Sequence, residues 1–441
     1  MLKKISFKSN DDLVKHIKTH LPTFYYSSKT STVIPYEKLE EIYKDEDFYL
    51  GDLSLLPASM NLLENGNLHV KGPVSWKDAK VFLNSKGRNI MTAPTEELAL
   101  ITAGAATSCT GERCFAFGNL RSQIKKIKYL DFNGNEKELL SENSFPHSSQ
   151  MIEKYNRNFE KYSQFKNAPY PRLTKETDLL IGTEGQLGVI TEVELLTVDD
   201  FQVNHLFMLV PKWEENIEPH LEINRKIQSF RENVILCEHI DSNSFNYLKP
   251  NDRPNRDMDA IFFEVKSSFF EDFYEKFLLD LSFLNEELVF ELSSKNFHQL
   301  RASIPRAVYE ENSIKGITKK GTDVQVTSEN FRVLLEKYKS FTKAGIKYNL
   351  FGHFGDSHLH FNFMPNKDQI HLCESELQGL YKLVAKLSGS PFAEHGVGII
   401  KQKYICDFWD DTIISVFKEL KQQHDPQNQF FPQGYMNLNC S

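Results

Sequence analysis

Apolar positions at helical spacing open the chain. Ser9 precedes Leu13 and Ile17, so the pattern predicts an amphipathic helix with a serine at its N-cap. The next apolar run, Thr23–Tyr26, is short and aromatic and predicts a strand. It leads into residues 27–32, a polar turn made mostly of serine and threonine. The N-terminus therefore predicts a helix and a strand that ends in a hydroxyl-rich loop.

Short apolar segments continue as far as residue 198 and predict an α+β lobe. Strand-like runs occupy residues 68–70 and 127–132, and a helix pattern covers residues 76–83. Residues 103–111 are small and include two glycines, which predicts a loop. In residues 178–192, apolar runs bracket three closely spaced glycines. We expect the first lobe to close near residue 198.

From Phe201 onward, strands alternate with charged amphipathic helices, which is typical of an antiparallel sheet with helices on one face. A final segment carries a long helix pattern at residues 411–423, and we expect it to return to the first lobe. The pattern thus predicts two lobes in three stretches of chain: residues 1–198, residues 199–365, and a C-terminal segment of residues 366–441. Within the second stretch the predicted strands are 205–210 and 259–265, and the predicted helices are 216–230 and 271–284.

Charge and hydropathy exclude several classes of partner. The formal net charge is −8, and both nucleic acids and anionic membranes are bound by surplus positive charge, so we expect neither as a partner. No run of about 18 apolar residues is present, so no transmembrane helix is predicted. The N-terminus turns polar within a few residues, unlike a secretory signal. At 441 residues, the chain is long enough for an enzyme with a cleft between lobes.

The six cysteines are scattered and form no Cys-x-x-Cys pair. We therefore expect no disulfide framework and no iron–sulfur or structural zinc module. A cytoplasmic location is the simplest expectation, with peripheral association with the inner membrane as an alternative.

The segment of residues 351–363 holds most of the candidate chemistry. Alternation with period two places His358, His360 and Asn362 on one face of a strand, and a turn at Gly355 brings His353 nearby. Imidazoles at this density, in a chain with 14 histidines, suit a divalent metal. Clustered histidines on a strand also occur as exposed, hydrogen-bonded side chains, so the local sequence leaves both interpretations open.

A metal at these histidines would need a carboxylate from elsewhere in the chain. Glu394, followed by His395, lies between small residues and offers one. Such a pair is also common in solvated loops, so this motif alone does not decide between a metal ligand and a solvent-exposed carboxylate.

Four blocks together resemble one family. They are Leu-Ile-Gly-Thr-Glu-Gly-Gln-Leu-Gly-Val-Ile-Thr-Glu at residues 180–192, Gly-His-Phe-Gly-Asp-Ser-His-Leu-His at 352–360, Glu-His-Gly-Val-Gly at 394–398, and His-Asp-Pro-Gln-Asn-Gln-Phe-Phe-Pro at 424–432. The chain resembles the FAD-linked 2-hydroxy acid oxidases and dehydrogenases of the vanillyl-alcohol-oxidase type. That family includes the glycolate oxidase large subunit, D-lactate dehydrogenase and D-2-hydroxyglutarate dehydrogenase.

This resemblance implies an α+β fold in which a two-lobed FAD-binding domain carries an antiparallel-sheet cap domain for the substrate. It implies oxidation of a small D-2-hydroxy carboxylate to the 2-oxo acid, with hydride transfer to FAD. The divalent metal (zinc, manganese or iron) would be bound by His353, His360 and Glu394. His395 would be the catalytic base.

The resemblance also implies substrate and flavin contacts. Arg301 is expected to bind the substrate carboxylate, with Arg306 as a register alternative, and Asn362 aligns with a further substrate contact. The residues expected at the FAD are Ser28, Lys29, Thr30, Ser31, Gly104, Gly111, Gly182, Glu184, Gly185, Gly188 and Ile190.

The chain departs from the family pattern in two places. The family's first phosphate loop is rich in glycine, whereas residues 27–32 contain none, so main-chain wrapping of the phosphates is less assured. That loop has no histidine either, so the FAD is expected to be non-covalent. In the histidine block, Ser357 and His358 replace a glycine and an asparagine of the family.

Several alternatives remain open at this point. A non-catalytic, flavin-free subunit of an electron-transfer complex is favoured by the glycine-free loop and disfavoured by the retained Glu394–His395 pair. A redox-neutral flavoenzyme of the same fold is a further alternative. The electron acceptor is not named by the sequence, and a separate iron–sulfur or electron-transfer protein is one candidate. A homodimer is equally compatible with the sequence.

Overall fold

The computed structural model describes residues 2–44, 47–146, 149–254 and 256–440. Helices and mostly antiparallel strands are mixed along the chain, and the predicted α+β class is confirmed. The strands are β1 (Leu2–Ser6), β2 (Thr23–Tyr26), β3 (Phe48–Asp52), β4 (Ser59–Leu62), β5 (Leu68–Lys71), β6 (Arg88–Ile90), β7 (Ile124–Leu130), β8 (Glu136–Leu140), β9 (Val189–Leu195), β10 (Thr197–Asp199), β11 (Val203–Val210), β12 (Val234–Ile240), β13 (Asp259–Lys266), β14 (Val289–Leu292), β15 (Lys320–Gly321), β16 (Tyr348–His353) and β17 (His358–Phe363).

The helices range from single turns to six turns. They are α1 (Asn10–Ile17), α2 (Leu39–Ile42), α3 (Trp76–Asn84), α4 (Ile101–Thr107), α5 (Cys114–Phe117), α6 (Leu120–Gln123), α7 (Gln150–Phe159), α8 (Glu218–Ile227), α9 (Phe270–Phe273), α10 (Ser294–Lys315), α11 (Phe331–Thr342), α12 (Ile370–Lys386), α13 (Gln402–Ile405) and α14 (Asp411–His424).

The chain divides into two compact units. Unit 1 comprises the residues up to 111, residues 118–200 and the residues from 394 onward, and unit 2 comprises residues 112–117 and 201–393. The predicted stretches were 1–198, 199–365 and 366–441. The chain enters unit 2 at residue 201, close to the predicted residue 199. It leaves unit 2 after residue 393, about one helix beyond the predicted residue 365. Residues 112–117 also belong to unit 2.

Unit 1 is built on a five-stranded antiparallel sheet in the order β4-β5-β9-β7-β8, together with a parallel three-stranded sheet β1-β3-β2. The predicted first helix is confirmed as α1. Ser9 Oγ accepts a hydrogen bond from the backbone N–H of Asp12 at 3.1 Å, and Leu13 and Ile17 are buried.

Unit 2 contains a seven-stranded antiparallel sheet in the order β14-β11-β13-β12-β16-β17-β15. The long helix α10 packs on one face of it, where Phe297 and Ile304 meet the buried side chains of β11, β12 and β13. On the opposite face, the rings of Phe361 and Phe363 pack against Phe341 of α11. This confirms the predicted alternation of β17, which leaves His358, His360 and Asn362 on the α10 face.

One predicted loop is a helix. Residues 103–107 belong to α4, which ends at Ser108 in the left-handed region with φ of 49°. The small side chains let the helix approach its neighbours closely, since a Cβ at Gly104 would lie 2.7 Å from Cys109 Sγ. The loop prediction was wrong because small residues that serve close packing give the same local signal as a turn.

The C-terminal segment contains a disulfide between Cys406 and Cys440. The cysteine spacing predicted none, because the two residues are 34 positions apart and only the folded C-terminus brings them together. Four further cysteines are buried outside this disulfide: Cys109, Cys114, Cys237 and Cys373.

Within the described ranges, none of the helices is both long enough and apolar enough to cross a bilayer.

Candidate functional site

Three buried histidines meet where β16 turns into β17. His353 ends β16, residues 354–356 form a single helical turn, and Ser357 adopts left-handed geometry so that His358 can begin β17. Each histidine offers a ring nitrogen, and these nitrogens lie within 4.8 Å of one another. The structure thus brings the predicted ligands His353 and His360 together and adds His358, which the predicted ligand set did not include.

Neighbouring groups hold each of these three rings. His360 Nδ1 lies 3.1 Å from the carbonyl of Thr322. Because a carbonyl only accepts, Nδ1 donates, and the lone pair of the neutral ring is on Nε2. His358 Nε2 lies 3.2 Å from an Asp323 carboxylate oxygen.

His353 makes an ion-pair contact, with Nδ1 3.0 Å from Glu238 Oε1. A ring whose second nitrogen is held by a carbonyl or a carboxylate is the arrangement found in metal-ligating histidines. The donor set therefore fits a divalent metal.

The predicted substrate arginine lies in α10 and is bound to two glutamates of unit 2. Arg301 Nε and Nη2 both donate to Glu238 Oε2, at 2.8 and 2.5 Å, and Nη1 lies 2.7 Å from Glu112 Oε2. Arg306, the register alternative, is exposed.

Glu238 links the arginine to the histidines. Burial raises the pKa of the Glu238 carboxyl, but Arg301 and His353 outweigh burial and hold the pKa below its ordinary value. Sequence reasoning missed Glu238 and Glu112. The one available signal was a charged residue inside the apolar strand β12.

Asn362 occupies the same face of β17 as His360, as predicted. Its Nδ2 donates to Asn349 Oδ1 at 2.8 Å. Gly321 makes room for the amide, because a Cβ there would lie 2.4 Å from Asn362 Oδ1. The Asn362 side chain therefore has a fixed orientation.

Unit 1 carries the predicted Glu394 and His395, both half-buried. Glu394 Oε1 accepts a hydrogen bond from Thr110 Oγ1 at 3.2 Å and lies 3.4 Å from the ammonium of Lys166. Lys166 is a buried cation that sequence reasoning missed, since nothing in its polar surroundings distinguishes it.

Glu184, predicted to bind FAD, holds the loop that follows His395. Its Oε1 accepts a hydrogen bond from the backbone N–H of Val397 at 2.6 Å, and its Oε2 accepts one from Gly398 at 3.0 Å. Burial raises the pKa of the Glu184 carboxyl to about 7, although these two hydrogen bonds oppose the shift. The carboxylate thus positions the backbone beside Glu394 and His395.

The predicted flavin glycines fall into two groups. A Cβ would lie 1.8 Å from the Ala93 carbonyl oxygen at Gly111 and 2.7 Å from the Tyr129 ring at Gly188, so these positions serve close packing within unit 1, as Gly104 does. Gly182 and Gly185 have φ of 76° and 74°, and the atom nearest to a Cβ at Gly185 would be 4.0 Å away. The backbone at Gly185 is therefore open to a ligand, which fits a flavin, whereas a Cβ at Gly182 would lie 3.4 Å from Ser108 Cβ.

The remaining predicted flavin residues lie near the surface or in β9. Ser28 Oγ and Thr30 Oγ1 are 3.1 Å apart, and the Lys29 ammonium lies 4.7 Å from the centre of the Tyr26 ring. Ser31 Oγ accepts a hydrogen bond from Val33 at 3.4 Å, and Ile190 is buried in β9. The loop of residues 27–32 contains no glycine, and local hydrogen bonds hold the hydroxyl groups of Ser28, Thr30 and Ser31.

We expect Glu184→Gln to remove a pH dependence from stability. Because the folded-state pKa of about 7 exceeds the ordinary 4.5, ionisation destabilises the native state as pH rises from about 4.5 to 7. The shift corresponds to about 3 kcal/mol. Urea denaturation across this pH range should show the variant gaining roughly that amount relative to the parent protein, and Glu41→Gln, at an exposed position of α2, should show no such gain. Parallel pH profiles for Glu184→Gln and the parent would contradict the assignment.

Comparison with known proteins places the histidine site within a known domain. Residues 297–434 match the family described as FAD linked oxidases, C-terminal domain. Over this range the chain is similar to the FAD-linked oxidases. The matched range contains Arg301, the three histidines of β16 and β17, Glu394 and His395, and the resemblance inferred from the four sequence blocks is confirmed.

Two curated relatives and one solved structure extend the likeness beyond that domain. The chain is 22% identical over 390 residues to the mitochondrial D-lactate dehydrogenase [cytochrome] of Kluyveromyces lactis, covering 84% of this chain and 62% of the relative. It is 23% identical over 269 residues to a probable mitochondrial D-2-hydroxyglutarate dehydrogenase of Oryza sativa subsp. japonica, covering 58% of this chain and 47% of the relative. The chain thus spans less than two thirds of either relative.

The fold as a whole is similar to that of a solved alkyldihydroxyacetonephosphate synthase. The TM-score is 0.66 at 13% sequence identity, and the likeness covers 97% of this chain and 76% of that one. At this identity the likeness concerns the fold alone, and it agrees with the predicted α+β class.

Proposed function

We propose that the protein oxidises the hydroxyl group of a small D-2-hydroxy carboxylate to the 2-oxo acid, with FAD as the hydride acceptor. The relatives named as D-lactate and D-2-hydroxyglutarate dehydrogenases support this reaction class. The single observation that carries the proposal is the buried group of His353, His358 and His360 within the part of the chain that matches FAD-linked oxidases.

In this proposal His353 and His360 bind a divalent metal, and Glu394 of unit 1 completes the ligand set. Glu394 is included because of the resemblance of residues 394–398 to the family block. Two imidazoles and one carboxylate accept zinc, manganese or iron. Such a metal, when bound, polarises the substrate oxygen atoms and lowers the pKa of the hydroxyl group. His358 is a further candidate ligand on the same strand face.

His395 is proposed as the base that takes the hydroxyl proton. An imidazole suits this role because its ordinary pKa of about 6.5 lies near the working pH. The hydrogen bonds from Val397 and Gly398 to Glu184 fix the backbone two and three residues after His395. His395 therefore stands on a loop whose position is set by the Glu184 carboxylate.

Arg301 is proposed to bind the substrate carboxylate, with Asn362 as a second contact. A guanidinium has five N–H groups, and Glu238 and Glu112 engage three of those of Arg301. One N–H on each terminal nitrogen is not taken by these glutamates. The two glutamates would thus orient the side chain for a two-point contact with the substrate.

FAD is proposed to bind non-covalently to unit 1. The backbone of Gly182 and Gly185 and the hydroxyls of residues 28–31 are the proposed contacts, and Gly104, Gly111 and Gly188 shape the surrounding backbone. The buried Ile190 and the loop-holding Glu184 complete the predicted set. The flavin supplies the hydride acceptor when bound.

The electron acceptor is proposed to be a separate redox protein. The name of the Kluyveromyces lactis relative includes a cytochrome, which favours a protein acceptor over molecular oxygen. Reduction of added cytochrome c during turnover, faster than hydrogen peroxide production in air, is the expected result.

The proposal is tested by the cofactor and the steady-state activity. Purified protein should be yellow and should release FAD on denaturation without proteolysis. A panel of D- and L-2-hydroxy acids with an artificial electron acceptor should give turnover for D enantiomers only. Protein that is colourless and stays flavin-free after incubation with FAD would instead support the non-catalytic subunit.

Arg301→Lys is expected to raise the substrate KM by about 10- to 100-fold while flavin content stays unchanged. The lysine keeps the buried positive charge beside Glu238 but loses the two-pronged contact, which is worth about 1.5–3 kcal/mol. Arg306→Lys, at the exposed alternative position, is the matched control and should leave KM unchanged. Steady-state kinetics with the best substrate measures both, and an unchanged KM in Arg301→Lys would remove this residue from the site.

A further inference from the structure

A second group of buried metal-type side chains lies elsewhere in unit 2. It consists of His220 of α8, His239 of β12 and Asp259 at the start of β13, and no member is more than 1% exposed. We call it the 220–239–259 group. One ligand atom of each lies within 4.8 Å of the others.

This group is on the opposite face of the sheet from the candidate functional site. Alternation along β12 points Glu238 towards α10 and Arg301, so its neighbour His239 points the other way. There the His239 ring stacks on Phe354 with ring centres 5.8 Å apart and meets His220 edge-on at 5.2 Å. The group is therefore separate from the three histidines of β16 and β17.

The distances within the group are those of atoms that share a metal ion. Asp259 Oδ2 lies 3.1 Å from His220 Nε2 and 3.5 Å from His239 Nε2. In a tetrahedral zinc site with bonds of about 2.1 Å, adjacent ligand atoms are about 3.4 Å apart. The two measured distances fall on either side of that value.

Hydrogen bonding accounts for one of the four ring nitrogens of the two imidazoles, since His239 Nε2 lies 3.5 Å from Asp259 Oδ2. Within the described ranges, neither ring nitrogen of His220 and not Nδ1 of His239 makes a hydrogen bond. The Asp259 carboxylate also accepts hydrogen bonds from two backbone donors, Trp213 to Oδ2 and Ser242 to Oδ1, each at 2.7 Å. Buried polar nitrogens without partners are unfavourable, and a cation at their centre would compensate.

We propose that His220, His239 and Asp259 bind a divalent metal ion of their own, with zinc as the best fit, in a structural role. Two imidazoles and a carboxylate are ligands that zinc accepts, with a fourth, non-protein ligand completing the tetrahedron. The ion would join α8 to β12 and β13, three elements that follow one another along the chain of unit 2. This site does not depend on the proposed oxidation.

The metal content of untagged protein, measured by inductively coupled plasma mass spectrometry, tests the proposal. His220→Gln and His239→Gln should each contain one ion per chain fewer than the parent. His205→Gln is the matched control, since His205 is a buried histidine of β11 outside the group, and it should match the parent. Equal metal content in the parent and in both group variants would overturn the proposal.

His360→Ala separates this site from the proposed catalytic metal. If His220→Gln loses an ion and His360→Ala does not, the structural site stands and the catalytic metal is refuted. If only His360→Ala loses an ion, the 220–239–259 site is refuted and the catalytic metal stands.

A second measurement covers the case in which the group variants do not fold. In the His360→Ala protein, a chelator should lower the melting temperature and stoichiometric zinc should restore it, because a ligand that binds only the native state stabilises it. A melting temperature that neither the chelator nor zinc changes would overturn the proposal.

Discussion

His395→Asn is expected to slow reduction of the bound flavin by about 10²- to 10⁴-fold, the contribution of a general base. Asparagine fills similar space but cannot take the hydroxyl proton. The fall in rate on the acidic side of the pH profile should also flatten, because the group whose protonation causes it is gone. Stopped-flow absorbance of the flavin after anaerobic mixing with substrate measures the rate directly.

The control for this substitution is flavin and metal content, which should equal those of the parent because His395 is assigned to neither ligand set. If His395→Asn reduces its flavin at the parent rate, the base is another residue. His358 would then be the next to test, since it shares a strand face with His360.

His360→Ala is expected to lower turnover on the order of 10³-fold, because a Lewis acid supplies several kcal/mol of charge stabilisation and each 1.4 kcal/mol is tenfold in rate. The ring is buried, and the Thr322 carbonyl directs its Nε2 lone pair away from that contact. Flavin content should not change. Steady-state assays and elemental analysis of the same preparation measure both quantities.

His371→Ala is the matched control, since His371 is an exposed histidine of α12 and its loss should change neither turnover nor metal content. Full turnover in His360→Ala, or in chelator-treated protein shown to be metal-free, would contradict the metal assignment.

Local periodicity accounts for the parts of the molecule that the sequence predicted well. The spacing of Leu13 and Ile17 after Ser9 predicted α1 because a capped amphipathic helix is determined within a few turns. The alternation of β17 predicted that His358, His360 and Asn362 share a face, since a strand has a period of two whatever its partners.

Features that depend on distant parts of the chain were not predictable in this way. Glu112 and Glu238 reach Arg301 only because α10 packs across β12, and no local pattern in either segment specifies that contact. Lys166 meets Glu394 across more than 200 residues of sequence. The assignment of residues 103–107 as a loop failed for a related reason, since α4 requires its small side chains for tertiary packing.

The most direct test of the central claim is a single-turnover experiment on the FAD-loaded protein. Under anaerobic conditions, and without any electron acceptor, D-lactate or D-2-hydroxyglutarate should bleach the flavin absorbance and yield one equivalent of the 2-oxo acid per flavin, whereas the L enantiomers should not. Flavin that remains fully oxidised with every D-2-hydroxy acid, in protein that contains both FAD and metal, would contradict the proposed oxidation.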